Sequence, residues 1–159
     1  SEAYRTMSQL LALVAIGLFV AAAADDIARR RIANGFVLAL AAAAALRLVL
    51  GLATGAEGVT PFWDLAAALA VFAAGVAAFH FGIFGGGDAK LLAVGTLWIG
   101  AASVWAFLFA TAIAGGVLAL GFLIWAPLAR KAGTDARRIA LPYGVAISAG
   151  GILATTGLI

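Results

Sequence analysis

The chain gathers its charges into a few short stretches and leaves apolar runs about as long as a bilayer is thick. Residues 7–24, 35–52, 63–82, 89–126 and 139–158 contain only Arg47, Asp64 and Lys90 as charged side chains. About 20 consecutive apolar residues suffice to cross a hydrocarbon core as a helix. Of the 159 residues, 65% are apolar and 11% charged, whereas soluble domains carry about a quarter charged residues. No soluble surface can be assembled from that composition. The expected fold is an all-α polytopic membrane protein, with residues 1–159 forming a single membrane-embedded domain.

The number of spans follows from length. As one straight helix, residues 89–126 would extend about 55 Å, against a hydrocarbon core of about 30 Å. The run must turn, with Gly100–Ser103 the first choice and Gly115–Gly116 the second. That makes about six transmembrane helices. The opening run, residues 7–24, has the apolar core and alanine-rich end of a signal peptide. Glu2 weakens the basic character of its leading segment, however, and Arg29, Arg30 and Arg31 follow it, so it is read as a retained span.

Orientation follows from lysine and arginine, which favour the cytoplasmic side. Placing the stretches 25–34, 83–88 and 127–138 on one side collects Arg29, Arg30, Arg31, the adjacent Lys90, Arg130, Lys131, Arg137 and Arg138 there, leaving only Arg5 and Arg47 opposite. Both termini are then outside. The net charge of +3 therefore reads as membrane topology and not as a nucleic-acid face. The absence of cysteine excludes disulfides, thiolate metal sites and cysteine nucleophiles.

The acids divide by position. Glu2, Glu57 and Asp135 lie in tails or loops and are read as solvated charges, and Asp64 as a helix N-terminal cap. Asp26 and Asp88 both fall at cytoplasmic ends of spans, where the fold can bring them face to face. The helix after Asp88 would be only about 18 Å long, which places Asp88 below the headgroups in a water-filled dip lined by glycine. A carboxylate there is costly unless paired, solvated or used. Two close carboxyl groups share a proton, so that one can take a proton from water while the other polarises a carbonyl. From spacing alone, a pair of interfacial loop acids remains an equal alternative.

Two segments carry a family resemblance. Asp26 followed by Arg29, Arg30, Arg31, Ile32, Ala33 and Asn34 is similar to the pattern of an aspartate, a basic stretch and Ile-Pro-Asn found in the prepilin peptidases, which are polytopic GxGD aspartic proteases. Gly85-Gly86-Gly87-Asp88-Ala89-Lys90-Leu91-Leu92 is similar to their GxGDxKLL. Leu141-Pro142-Tyr143-Gly144 more weakly resembles the start of their last span. The resemblance covers nearly the whole chain. It departs at Ala33, where proline is usual, which is expected to loosen the loop. With no cysteine and no room for the methyltransferase domain of the bifunctional members, peptidase activity alone is expected. The short members that it resembles serve Flp-type pili and tight-adherence systems.

The resemblance implies that Asp26 and Asp88 are the catalytic pair, with Asp25 a solvated neighbour and rival. It also implies a supporting set of Gly85, Gly87, Lys90, Asn34 and Pro142. Gly85 and Gly87 would let substrate backbone approach closely, Asn34 would cap the second span, and Pro142 would start or kink the last helix. Lys90 steadies the dyad, meets substrate or snorkels to the headgroups, and these readings stay open. Arg29 to Arg31 are taken as topology determinants and His80 as a hydrogen-bonded interior group. No metal and no cofactor is required. The implied activity is removal of the basic leader from prepilins, and from pseudopilins, at the cytoplasmic face of the bacterial inner membrane. The implied partners are those substrates, membrane lipid and the pilus-assembly machinery. A small proton- or ion-coupled transporter using the same acids is the competing class, and an inactive assembly scaffold a third.

Overall fold

A computed structural model describes residues 2–56, 58–83, 85–131 and 141–159. The regular elements among these residues are all helical: α1 (Glu2–Arg29), α2 (Asn34–Thr54), α3 (Pro61–His80), α4 (Gly86–Ile99), a single 3-10 turn (Ala101–Ser103), α5 (Val104–Lys131) and α6 (Tyr143–Thr155). Four of these helices, α1, α2, α3 and α5, are long and apolar enough to cross a membrane. The chain is a multi-pass, all-α membrane protein. Glu57, Asp135, Arg137 and Arg138 lie outside the described residues, as does the expected start of the last span at 139.

The turn in the long apolar run falls at its first-choice position. Gly100 takes a positive φ of 92°, and a carbonyl on the preceding turn accepts its N–H (Gly100 to Thr96, 2.9 Å). The helices on either side are unequal. At 14 residues α4 rises only about 21 Å, and α6, at 13 residues, about 20 Å. These two short helices form the centre of the bundle. α4 packs on α3, α2 and α6, while α6 packs on α5, α1 and α4. Their buried faces are rich in small residues, including Ala89, Ala93 and Gly95 on α4 and Gly144, Ala146, Gly150 and Gly151 on α6. Small residues allow the close backbone approach on which helix association in lipid depends. Phe19 of α1 lies against Gly151, and Phe107 of α5 against Gly95. The long helices turn Leu13, Leu38, Leu69, Phe109 and Leu120 outward, as surrounding lipid requires.

Several local expectations are corrected. The stretch at Asp25–Arg29 is the last turn of α1 and not a loop, because Asp25 and Arg29 form an ion pair one turn apart (3.1 Å). Asn34 does not cap α2. The cap position is Ala33, with no side-chain cap bond, and the Asn34 amide oxygen instead accepts from Lys90 Nζ (3.3 Å). His80, expected in the interior, is exposed and stacks edge-on with Phe81.

Asp64 is not a simple cap but a buried hub. It is 1% exposed and accepts from Thr60 Oγ1 (3.0 Å) and from the Ala101 N–H (2.8 Å). It also pairs with Arg47 of α2 (3.4 Å), whose guanidinium lies over the Trp98 ring. The cluster ties α2 and α3 to the turn that ends α4. Asp64→Ala should strand the Arg47 charge and lower the stability of the fold by about 3 kcal/mol, since removing one member of a buried pair costs about 3–5 kcal/mol. Thermal unfolding in detergent measures this, and an unchanged melting temperature would show the hub to be dispensable.

Candidate active site

At the opposite end of the bundle from Asp64, α1, α4 and α6 bring their polar termini together. Asp26 occupies the last turn of α1 and is 5% exposed. One of its oxygens accepts the N–H of Gly144, at the start of α6 (2.8 Å). Asp88 lies in the first turn of α4, half-buried, and accepts the N–H of Gly85 (3.0 Å). Each carboxylate therefore sits at the positive end of a short helix, where backbone N–H groups without helical partners favour an anion.

Both acids line one cavity of about 290 Å³, closed by Arg30, Gly82, Ile83, Gly85, Leu141 and Tyr143. At about 30 Å³ per water, the cavity has room for solvent and a stretch of extended backbone. Such a space offers proton transfer and hydrolysis. Among the described residues, no three His, Asp or Glu side chains gather as metal ligands would.

A family model for the type IV leader peptidase family matches residues 13–120, more than half of the chain. The chain belongs to that family. It is an aspartic-type prepilin leader peptidase, as the resemblance implied. No curated protein and no solved structure matches it, so the family model carries the assignment.

The remaining expected residues of the peptidase separate in space. Gly85 lines the cavity, and a Cβ there would lie 2.9 Å from Asp88 Oδ2. Gly87 meets Ile32 of the α1–α2 connection instead, at 3.4 Å from an added Cβ. It admits the loop and does not border the cavity. Lys90 points away from Asp88 to Asn34. Pro142 stands at the cap of α6 and borders a neighbouring apolar groove.

Asp25 is not a loose, solvated neighbour. Besides the Arg29 pair, it accepts the N–H of Ala33 (2.9 Å), and its side chain is only 10% exposed. The departure at position 33 thereby acquires a structural role. Ala33 keeps a proline-like φ of −65°, yet has the N–H that proline lacks. The loop is hooked to α1 and not loosened.

Gly144, Tyr143 and Arg30, all close to the acids, escaped the sequence analysis as site residues. Gly144 was quoted only as part of a motif, but a Cβ there would lie 2.7 Å from Asp26 Oδ2. Tyr143 forms a wall shared by the acid cavity and an apolar cavity between α4 and α5. Arg30 was grouped with its neighbours as a topology signal. No linear pattern distinguishes these positions, because each depends on where α6 docks against α1.

Proposed function

We propose that the peptidase removes the basic leader of Flp-type prepilins at the cytoplasmic face of the inner membrane, by water activation between Asp26 and Asp88. The observation that carries this reading is the single cavity lined by both carboxylates. The ionised member takes a proton from a water molecule, and the protonated member polarises the scissile carbonyl. The water oxygen bonds to the carbonyl carbon. The resulting tetrahedral intermediate expels the amine of the new pilin end, which takes up a proton, and no covalent enzyme adduct forms.

Two features support a substrate that is basic, then extended, then apolar. Arg29 to Arg31 and Lys90 gather at the end of the bundle that bears the acids, the pattern of a cytoplasmic face. An apolar groove of about 390 Å³, lined by Val117, Leu118, Phe122, Trp125 and Pro142, adjoins the acid cavity and shares Arg30 and Leu141 with it. It would receive the apolar segment that follows the scissile bond.

The test is incubation of the purified protein with a Flp-type prepilin, comparing wild type with Asp26→Asn, Asp88→Asn and Asp25→Asn. Asp25→Asn should cleave within about threefold of wild type. It retains an acceptor for the Ala33 N–H and loses only an ion pair to Arg29, which is 71% exposed; such pairs are worth about 0–1 kcal/mol. Loss of cleavage in the Asp25 variant, with the Asp26 variant active, would reassign the dyad. A wild-type protein that leaves every prepilin intact would end the reading.

A further inference from the structure

Arg30 is held in a conformation that the rest of the chain reserves for glycine. Helices α2, α3 and α6 each end on a left-handed glycine, Gly55 (φ 62°), Gly82 (φ 72°) and Gly157 (φ 70°). In each case the glycine N–H and the next N–H bond back to the last turn, the closing pattern that favours glycine. α1 also ends on a left-handed residue, whose N–H bonds to the Asp26 carbonyl four residues back (2.9 Å) where those glycines reach three back, but this residue is an arginine, Arg30, with φ 56°. It is the only positive-φ non-glycine residue among those described. A Cβ in this region is strained, and strain of this kind persists where surrounding structure or function holds it. The backbone alone would be better served by glycine, so the side chain needs a reason to be there.

Its location supplies one. Arg30 lines both the acid cavity and the apolar groove, on the wall where a substrate would pass from one to the other. A chain that leaves the bilayer as a helix and must extend at the scissile bond gives up the N–H partners of its carbonyls, and those acceptors need donors in exchange. Guanidinium offers five N–H donors in a rigid fork and stays charged.

We propose that Arg30 is a substrate-binding residue, whose guanidinium donates to the main-chain carbonyls of the substrate as it unwinds between the apolar groove and the two aspartates. This rests on the leader-peptidase reading of the cavity and adds to it the group that keeps the scissile segment extended. The left-handed backbone is the device that turns this side chain toward the passage.

The test compares wild type, Arg30→Gly and Arg30→Lys in detergent. Two substrates are used: a Flp-type prepilin, and the same prepilin with two glycines placed after the scissile bond to weaken its helix. Arg30→Gly should keep or raise the melting temperature, because glycine accepts the left-handed φ. It should also lose about 100-fold in kcat/KM on the unmodified prepilin, comparable to the loss of one preorganised donor. Arg30→Lys, which keeps charge and three donors, should recover part of that loss. On the loosened substrate the deficit of Arg30→Gly should shrink to about tenfold or less. Arg30→Gly cleaving the unmodified prepilin as well as wild type does, an equal deficit on both substrates, or a lowered melting temperature would each overturn the proposal while leaving the peptidase reading intact. A wild-type protein that cuts neither substrate would overturn both.

Discussion

Asp26→Asn and Asp88→Asn should each reduce prepilin cleavage by at least ~10³-fold, with the melting temperature little changed. General acid–base catalysis by a positioned side chain contributes about 10²–10⁴-fold, and in the proposed mechanism the two acids act as a unit, so the loss of either would remove the exchange of a proton with water. Asparagine keeps the volume and one oxygen of aspartate. The Gly144 N–H that bonds Asp26 and the Gly85 N–H that bonds Asp88 therefore both keep an acceptor. The double variant should be no worse than either single one, because groups that act together do not lose rate additively. Gel-based cleavage under single-turnover conditions measures all three. Full activity in either single variant would remove the dyad from the mechanism. A charge-dependent flux that responds to Asp26→Asn, without proteolysis in any form of the protein, would favour the transporter alternative.

The second large effect is expected at a residue with no reactive group. Gly144→Ala should lower kcat/KM by about 100-fold. The new methyl would lie 2.7 Å from Asp26 Oδ2, closer than real Cβ atoms come, and 3.0 Å from Asp26 Cβ. The neighbour cannot swing aside easily, since Asp26 is buried and its carboxylate is bonded to the Gly144 N–H itself. Relief requires either the carboxylate to leave its bond or α6 to back away from α1. A displacement of about 1 Å at a catalytic group can cost about 10²-fold. The overpacking should lower stability by about 1–3 kcal/mol. Gly17→Ala on α1 is the matched control, because nothing lies within 4 Å of a Cβ there, and its activity should equal that of wild type. Wild-type rates in Gly144→Ala would mean that the position of the Asp26 carboxylate against α6 is immaterial to cleavage.

These two expectations draw on different kinds of information. Asp26 and Asp88 could be singled out in the sequence because a carboxylate at the edge of an apolar run is conspicuous and expensive. The spans, their breaks at Gly100 and the gathering of basic residues at one end were legible for a related reason. Bilayer thickness and the price of burying charge act on the chain segment by segment, so linear spacing records them. Family resemblance added the pairing of the acids, which spacing left open.

Contacts between segments were not recorded in that way. Asp64 looked like a cap, since nothing in the sequence shows Arg47 and the Ala101 N–H converging on it from separate elements. Asn34 looked like a cap until α4 brought Lys90 to it. Asp25 and Asp26 are adjacent and chemically identical. Only the helical geometry of α1 sends one to the connection with α2 and the other to α6, because neighbours on a helix point in directions about 100° apart. Amino-acid order thus determined that this is a membrane-embedded bundle with two acids at one end. The docking of α6 and α4 decided what each of those carboxylates meets and which glycine makes room for Asp26, because those outcomes depend on distances between residues far apart in the chain.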